Sequence, residues 1–368
     1  MRILNMLTAG GIGGIEVLCR AIGKYSEDEN IFCFLFDQGI IYEQMKEMGY
    51  SVEWFNNKKK ISVSKMKRLY LLAKRCDVIV VHHDDPFLQM YYLGLKRILP
   101  RKKYISIVHH CYTPQWDKQY KNPIKRNMRV SLIQSMFDRS DQLVFVSKAG
   151  RDSYLPYFKI EFSKTSIVYN GIETSIIEQG AKQTKEVSVP INMVYVGRLV
   201  KLKGIDMLIK ALSELKDRYE FRLTIVGDGT ERLELEELVK TCGLQKKVSF
   251  VGYSLDPYKY YCSSVIFVYP SQTEIFGISI VEAMAFKNIC VANAVGGIPE
   301  LITDNQNGYL NSENTVEGLK MAIIHAIEAT LNENTYKKLC ENSQNTARKF
   351  SIINTIEGLE AVYRKVVK

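Results

Sequence analysis

Short apolar runs rich in Val, Ile, Leu and Phe recur along the chain, separated by longer stretches in which apolar residues return every three or four positions. The runs read as strands buried on both faces and the longer stretches as helices covering them, so the alternation predicts parallel sheets in an α/β fold. In the first half, strands are expected at Ile3–Leu7, Ile31–Phe36, Ser51–Phe55, Val78–Val81, Ile105–Val108, Leu143–Val146 and Ser166–Tyr169. Helices are expected between them at Ile15–Tyr25, Ile41–Met48, Val63–Cys76, Phe87–Leu99 and Ile124–Arg139.

After Asn170-Gly171 the stretch from Glu178 to Pro190 is too polar to form a core element, and the alternation then starts again. The second half predicts strands at Asn192–Val196, Arg222–Val226, Val248–Val251, Val265–Tyr269 and Ile289–Ala292. Its helices are expected at Asp206–Leu215, Glu231–Thr241, Tyr258–Cys262, Ile278–Phe286, Val316–Ala329 and Tyr336–Phe350. With 368 residues, two doubly wound domains are expected, 1–180 and 181–350, with a C-terminal helix at about 351–368 packing back on the first.

Composition adds two constraints. No apolar run is long enough to cross a bilayer and no signal-peptide core is present, so a cytoplasmic protein is expected. The eight cysteines lack a C-x-x-C pair and several sit in apolar runs, which predicts reduced core thiols rather than disulfides or a zinc knot. Charge is uneven: residues 1–180 carry 27 basic and 18 acidic side chains, residues 181–368 carry 23 and 22. The first half therefore suits an anionic partner, such as the inner face of the plasma membrane or a phosphate-bearing acceptor, with ordinary lysine-rich surface as the alternative. Basic and apolar residues interleave at Lys58-Lys59-Lys60-Ile61, at Lys65 to Leu69 and at Lys96 to Lys103. No aromatic-and-basic motif for nucleic acid accompanies them.

In open α/β sheets ligands bind beyond the carboxyl ends of the strands, so the chemistry is sought in the loops that follow strands. The first strand runs into Gly10-Gly11-Ile12-Gly13-Gly14-Ile15-Glu16, a glycine turn at a helix start that could cradle phosphate. It half-matches the dinucleotide fingerprint, with Asp37 as a possible ribose acid, but Glu16 stands where that fingerprint needs Gly or Ala and leaves a dehydrogenase the weaker reading. In the second half, Gly197-Arg198 follows a strand and Lys203-Gly204 opens the next helix, so two cations flank one turn and can neutralise a diphosphate without a metal. From Pro270 to Ala285 a polar loop presents Glu274, an almost wholly apolar helix starts near Gly277, and Glu282 stands alone within it. A carboxylate there needs hydrogen-bond donors, either ribose hydroxyls or a structural partner, and the N–H groups of Phe276, Gly277 and Ile278 can meet phosphate oxygens. Gly227-Asp228-Gly229 and Gly296-Gly297-Ile298-Pro299-Glu300 are too common in kind to assign a contact. No D-x-D triplet that would hold a divalent ion under a diphosphate is found.

Together and in this order, these segments resemble glycosyltransferase family four, retaining enzymes of the GT-B fold with two Rossmann-like domains facing across a cleft. The marks are Gly13-Gly14-Ile15-Glu16, Val168 to Ile172, Val196-Gly197-Arg198, Lys203-Gly204, Val226 to Gly229, the Glu274 and Glu282 pair, and Gly296 to Glu300. The resemblance implies that Arg198 and Lys203 hold the donor diphosphate, Glu282 the ribose and Glu274 the donor sugar, with Gly13 and Gly14 approaching the phosphate. It also implies that His109, or its neighbour His110, points at the donor sugar and acceptor; a histidine at a strand end is otherwise more often structural. Ile275 departs from the small residue or Pro common after the first glutamate, so donor preference is left open.

The expected reaction is metal-independent transfer from a nucleotide-sugar, a UDP-sugar foremost, to a glycan or lipid-linked acceptor in capsule or exopolysaccharide synthesis, with no cofactor. A nucleotide-sugar 2-epimerase and a non-catalytic nucleotide-sugar-binding subunit are the alternatives.

Overall fold

Strands that lose inside-outside alternation sit at the centre of each sheet. All four residues of Val78–Val81 and of Ile266–Tyr269 are buried, whereas Ser51–Trp54 and Val248–Gly252 at sheet edges keep exposed or half-buried positions. In the computed structural model, residues 1–11, 13–55, 60–82, 85–114 and 122–368 are described. They divide into two compact units, Met1–Asn170 with Ile353–Lys368, and Gly171–Ile352.

The first unit carries strands β1 (Arg2–Ala9), β2 (Glu29–Asp37), β3 (Ser51–Trp54), β4 (Val78–Val81), β5 (Lys103–Val108), β6 (Gln142–Phe145) and β7 (Thr165–Ile167). They pair in parallel in the order β3-β2-β1-β4-β5-β6-β7. The helices are α1 (Gly14–Tyr25), α2 (Gly39–Glu47), α3 (Val63–Lys74), α4 (Pro86–Ile98), α5 (Pro123–Arg139) and α6 (Lys148–Tyr154). Local sequence explains where several begin. Asp85 accepts from the N–H groups of Phe87 (2.9 Å) and Leu88 (3.0 Å), Asn122 accepts from Ile124 (2.9 Å), and each cap is followed by proline.

The second unit begins with α7 (Thr174–Ala181) and continues with β8 (Ile191–Val196), α8 (Ile205–Ser213), β9 (Phe221–Val226), α9 (Arg232–Thr241), β10 (Val248–Gly252) and α10 (Tyr258–Ser263). Then follow β11 (Ile266–Tyr269), α11 (Ile278–Ala285), β12 (Ile289–Asn293), β13 (Gly308–Asn311), α12 (Val316–Leu331) and α13 (Glu333–Lys349). The strand order is β10-β9-β8-β11-β12-β13, again parallel throughout. Both sheets reverse direction of winding between their first and fourth strands, β1/β4 and β8/β11, the switch point of the doubly wound fold.

Helix α14 (Ile352–Val367) returns the chain to the first unit. Its Glu360 accepts from the Ser26 hydroxyl at 2.8 Å, Thr355 donates to the Tyr169 carbonyl at 2.9 Å, and Tyr363 is buried.

Four features differ from the pattern read in the sequence, the first being α7 (Thr174–Ala181), which buries Ile177 and Gly180 although the segment from Glu178 reads as too polar for the core. Strand β13 was not expected, since Gly308-Tyr309-Leu310-Asn311 has neither alternation nor a β-branched run. Helix α6 is only seven residues long and depends on its Ser147 cap. The polar stretch after Ala181 is tied down by lysines: Lys185 donates to the carbonyls of Tyr261 and Ser264, and Lys287 reaches back to those of Ala181 (3.0 Å) and Gln183 (2.8 Å). Its polar side chains satisfy buried backbone acceptors, a role that hydropathy does not register.

Gly180 packs so closely on α11 that a Cβ there would run into the backbone carbonyl of Ala285. Helix propensity favours Ala over Gly by about 1 kcal/mol, but overpacking against backbone costs more. Gly180→Ala should therefore lower stability by about 1–3 kcal/mol in denaturant titration.

Candidate functional site

At the switch point of the second sheet two loops meet. The loop after β8 carries Gly197 to Gly204 and the loop after β11 carries Pro270 to Gly277. They are joined by backbone, Gln272 N–H donating to the Leu202 carbonyl at 2.8 Å, and by the Ser271 hydroxyl, 3.3 Å from the same carbonyl. Asn293 at the end of β12 donates to the Pro270 carbonyl at 2.9 Å.

Glycine turns brace both loops. A Cβ on Gly227 would collide with the Gly197 carbonyl and one on Gly296 with that of Glu274, and Leu199 N–H donates to the Asp228 carbonyl at 2.9 Å. Gly227-Asp228-Gly229 and Gly296-Gly297 thus set the height of the Arg198 and Glu274 loops by direct backbone contact.

On this frame Lys203, Tyr269 and Glu274 form one cluster. The Lys203 ammonium lies 2.6 Å from Glu274 Oε2 and donates to the Tyr269 hydroxyl at 2.8 Å, and that hydroxyl donates to the same carboxylate oxygen at 2.7 Å. The lysine and glutamate side chains are only 15% and 14% exposed, so the pair is largely shielded from solvent. The Tyr269 ring stacks on Tyr195 of β8 (6.0 Å between centroids, 15°) and on Phe267 (5.8 Å, 20°). Tyr195 donates to the Arg198 carbonyl at 3.0 Å. Burial, reinforced by the Glu274 charge, pushes both phenols well up, while the Arg198 charge pulls them down. The Arg198 side chain is exposed and makes no ion pair with a described residue. Of the two expected phosphate-binding cations, one is thus presented to solvent and the other is engaged by Glu274.

Gly277, in the left-handed region at φ +97°, ends the loop and caps α11, its carbonyl accepting from the N–H of Ile280 at 2.9 Å, with Ile278 the first helical residue. Phe276 is buried edge-on against Phe350 at 5.4 Å. One turn into α11, Glu282 accepts from the Tyr261 hydroxyl at 3.1 Å. Burial raises its carboxyl to about 7, with the tyrosine bond pulling the other way.

In the first unit the loop after β1 leads to Gly13, the N-cap of α1, and Gly14 is the first helical residue. The Glu16 carboxylate folds back over Gly13, leaving no room for a side chain there, which is where a capping-box glutamate sits. Ile12 lies outside the described residues. His109, buried at the end of β5, stacks on His82 at the end of β4 (5.8 Å, 22°). His82 Nε2 lies 2.9 Å from Asn5 Oδ1, and Asn5 Nδ2 donates to Asn30 Oδ1 at 2.9 Å. His110 and the fully buried Gln89 line a small cavity with His109.

The sequence reading passed over Tyr195, Tyr261 and Tyr269, which look like ordinary strand and helix aromatics, and His82. Asn5 did carry a signal, being an amide inside the apolar run of β1.

The basic stretches of the first unit are partly turned inward. Lys65 is 1% exposed with its ammonium 4.7 Å from the Phe36 ring centre, Lys96 pairs with Asp141 at 3.0 Å, and Lys102 donates to the Cys76 carbonyl at 2.6 Å. These three are therefore not free surface charges; Lys58 and Lys59 lie outside the described residues. Among the described residues no helix is long and apolar enough to cross a membrane. All eight cysteines are free thiols.

The chain matches the family profile for Glycosyltransferase Family 4 over residues 12–176 and that for Glycosyl transferases group 1 over residues 177–349. An uncharacterized glycosyltransferase of Haemophilus influenzae is 33% identical over 370 residues, covering 98% of each chain. The chain belongs to the glycosyltransferases. Other curated glycosyltransferases match in part. The N-acetylgalactosamine-N,N'-diacetylbacillosaminyl-diphospho-undecaprenol 4-alpha-N-acetylgalactosaminyltransferase of Campylobacter jejuni is 28% identical over 62% of this chain and 63% of its own length. The chain likewise spans about three fifths of an uncharacterized glycosyltransferase of Methanocaldococcus jannaschii, 61% of its length at 29% identity. Among solved glycosyltransferase structures, one from Rickettsia africae superposes with a TM-score of 0.83 (21% identity, 100% of this chain and 98% of that one). Anabaena HepE in complex with UDP gives 0.82 (21% identity, 99% and 100%). The two parallel-sheet units are those of the GT-B glycosyltransferase fold.

The Glu282 environment gives this glycosyltransferase a pH signature. A carboxyl that titrates higher folded than unfolded keeps its proton while the unfolded chain ionises, so its contribution turns against folding as pH rises from about 4.5 to about 7. Glu282→Gln should gain stability over the parent across that window, by roughly 3 kcal/mol, and the gain should level off above it. Urea titrations at pH 5 and pH 8 measure this difference.

Proposed function

We propose that this glycosyltransferase moves a sugar, with retention and without a metal, from a UDP-sugar to a hydroxyl of a glycan or lipid-linked acceptor in surface polysaccharide synthesis. The observation that carries the reading is the juxtaposition, at one sheet switch point, of exposed Arg198 with the Lys203–Tyr269–Glu274 cluster. Arg198 offers a planar fork to diphosphate oxygens, Lys203 supplies a second positive charge beside it, and the start of α11 adds N–H donors. The UDP bound by Anabaena HepE and the lipid diphosphate named for the Campylobacter jejuni relative agree with a nucleoside diphosphate donor and a lipid-linked acceptor.

In this reading the bond from the anomeric carbon to the β-phosphate oxygen breaks and its electron pair leaves on the diphosphate. The acceptor oxygen bonds to the same face of that carbon, and its proton passes to the departing phosphate oxygen. Arg198 and Lys203 stabilise the charge that grows on the diphosphate, so their effect is largest in the transition state. Glu274 accepts from donor-sugar hydroxyls and Glu282 from ribose hydroxyls. A panel of UDP- and GDP-sugars, screened by the rise in melting temperature each causes, identifies the donor by mass action. With that donor, Arg198→Ala and Glu274→Ala should each lower kcat by at least about 100-fold while the protein stays folded; near-normal turnover in both defeats the reading.

A lipid-linked acceptor calls for a membrane-facing surface, and α5 has the features of one. Ile124 (69% exposed) and Met128 (66%) stand one turn apart beside exposed Lys125 and Arg126. The double variant Ile124→Asp, Met128→Asp should reduce binding to phosphatidylglycerol vesicles at least about 10-fold in a flotation assay. A parent protein that does not float with such vesicles overturns this placement.

A further inference from the structure

We propose that Tyr269 is the positioning residue of this site: its hydroxyl holds the Lys203 ammonium and the Glu274 carboxylate at one fixed spacing, and turnover depends on it more than donor binding does. The inference rests on the donor-site reading given above and goes beyond it, since Tyr269 belongs to none of the glycine, arginine or glutamate motifs that carry that reading.

A phenol has one proton and can both donate and accept. Here it donates to Glu274 Oε2 at 2.7 Å and accepts from Lys203 Nζ at 2.8 Å, so both functions are used at once and in the only direction the two charges allow. Lysine is a flexible point charge with four methylenes, and glutamate on a loop is little better defined. The tyrosine is the rigid member. Its backbone is at the carboxyl end of the buried strand β11, and its ring packs near-parallel against those of Tyr195 and Phe267. Two χ angles fixed by packing therefore determine where the oxygen lies, and the oxygen determines where two mobile charges meet.

The same stack serves the other cation. Tyr195 packs on Tyr269 and donates to the Arg198 carbonyl at 3.0 Å, so one pair of adjacent strands, β8 and β11, sets the backbone of the exposed arginine and the side chain of the shielded lysine. A charge-stabilising site needs its groups fixed before the reaction, because reorganisation during it costs rate. Binding of the ground-state donor is less demanding, since a flexible lysine can still reach a phosphate.

The test is Tyr269→Phe, which keeps the ring and its stacking and removes only the two hydrogen bonds. With the donor selected from a panel of UDP-glucose, UDP-galactose, UDP-N-acetylglucosamine and the corresponding GDP-sugars, kcat should fall on the order of 10- to 100-fold while donor KM changes less than about 3-fold. UDP alone should still raise the melting temperature of the variant as it does for the parent, which shows a folded nucleotide site. Parent-like kcat overturns the proposal, as does a loss confined to KM or to UDP binding.

Site-specific 3-fluorotyrosine at 269 keeps the shape and changes the hydrogen-bonding strength of the phenol, so it serves if the phenylalanine variant does not fold; a kcat indifferent to it also overturns the proposal. Lys203→Ala and Glu274→Ala separate the two levels of inference. If both retain turnover, the donor-site reading fails. If both lose it and Tyr269→Phe does not, the reading stands and only the positioning role is refuted.

Discussion

Parallel strands covered on both faces leave no polar surface along their length, so the only places where such a sheet can present chemistry are the ends of its strands. Everything described for this chain follows from that constraint. In the second unit the winding reverses between the adjacent strands β8 and β11, and the loops that follow them bring Lys203, Tyr269 and Glu274 together and leave Arg198 exposed. In the first unit the ends of β4 and β5 carry His82 and His109. Several of the polar groups admitted to the interior are tied to partners: Asn5 to His82 and Asn30, Asn293 to the β11 loop, Glu282 to Tyr261.

How much of this was legible beforehand depended on whether a feature was local. Central strands such as Val78–Val81 announce themselves by unbroken apolar content, and helices such as α4 and α5 by a cap followed by proline. Strand β13 escaped because a short segment of Gly, Tyr, Leu and Asn has no period to detect; it is a strand because β12 offers it a ladder. The stretch after Ala181 was read as too polar for a core element, whereas Lys185 caps carbonyls from another part of the unit. Lys65, counted with the basic stretches of the first half, is buried.

The candidate site shows the same division. Arg198, Lys203, Glu274 and Glu282 could be picked out because charged residues at strand ends or in apolar helices demand an explanation. The tyrosines that hold them could not. Tyr195, Tyr261 and Tyr269 sit where any large apolar residue would satisfy the pattern, and only the paired geometry reveals that their hydroxyls matter. Two glycine turns changed meaning as well: Gly227 and Gly296, first seen as nondescript bends, are the contact points on which the Arg198 and Glu274 loops rest.

The return of α14 to the first unit has a consequence for biosynthesis. Residues 353–368, which complete the first unit, are translated only after the whole of residues 171–352. On the ribosome the first unit must therefore wait, with the surface that meets Glu360 and Tyr363 uncovered, while the second, being continuous in sequence, can mature as soon as it emerges. The order of maturation is thus the reverse of the order of synthesis, and the long loop closed by α14 makes the first unit the slower to form.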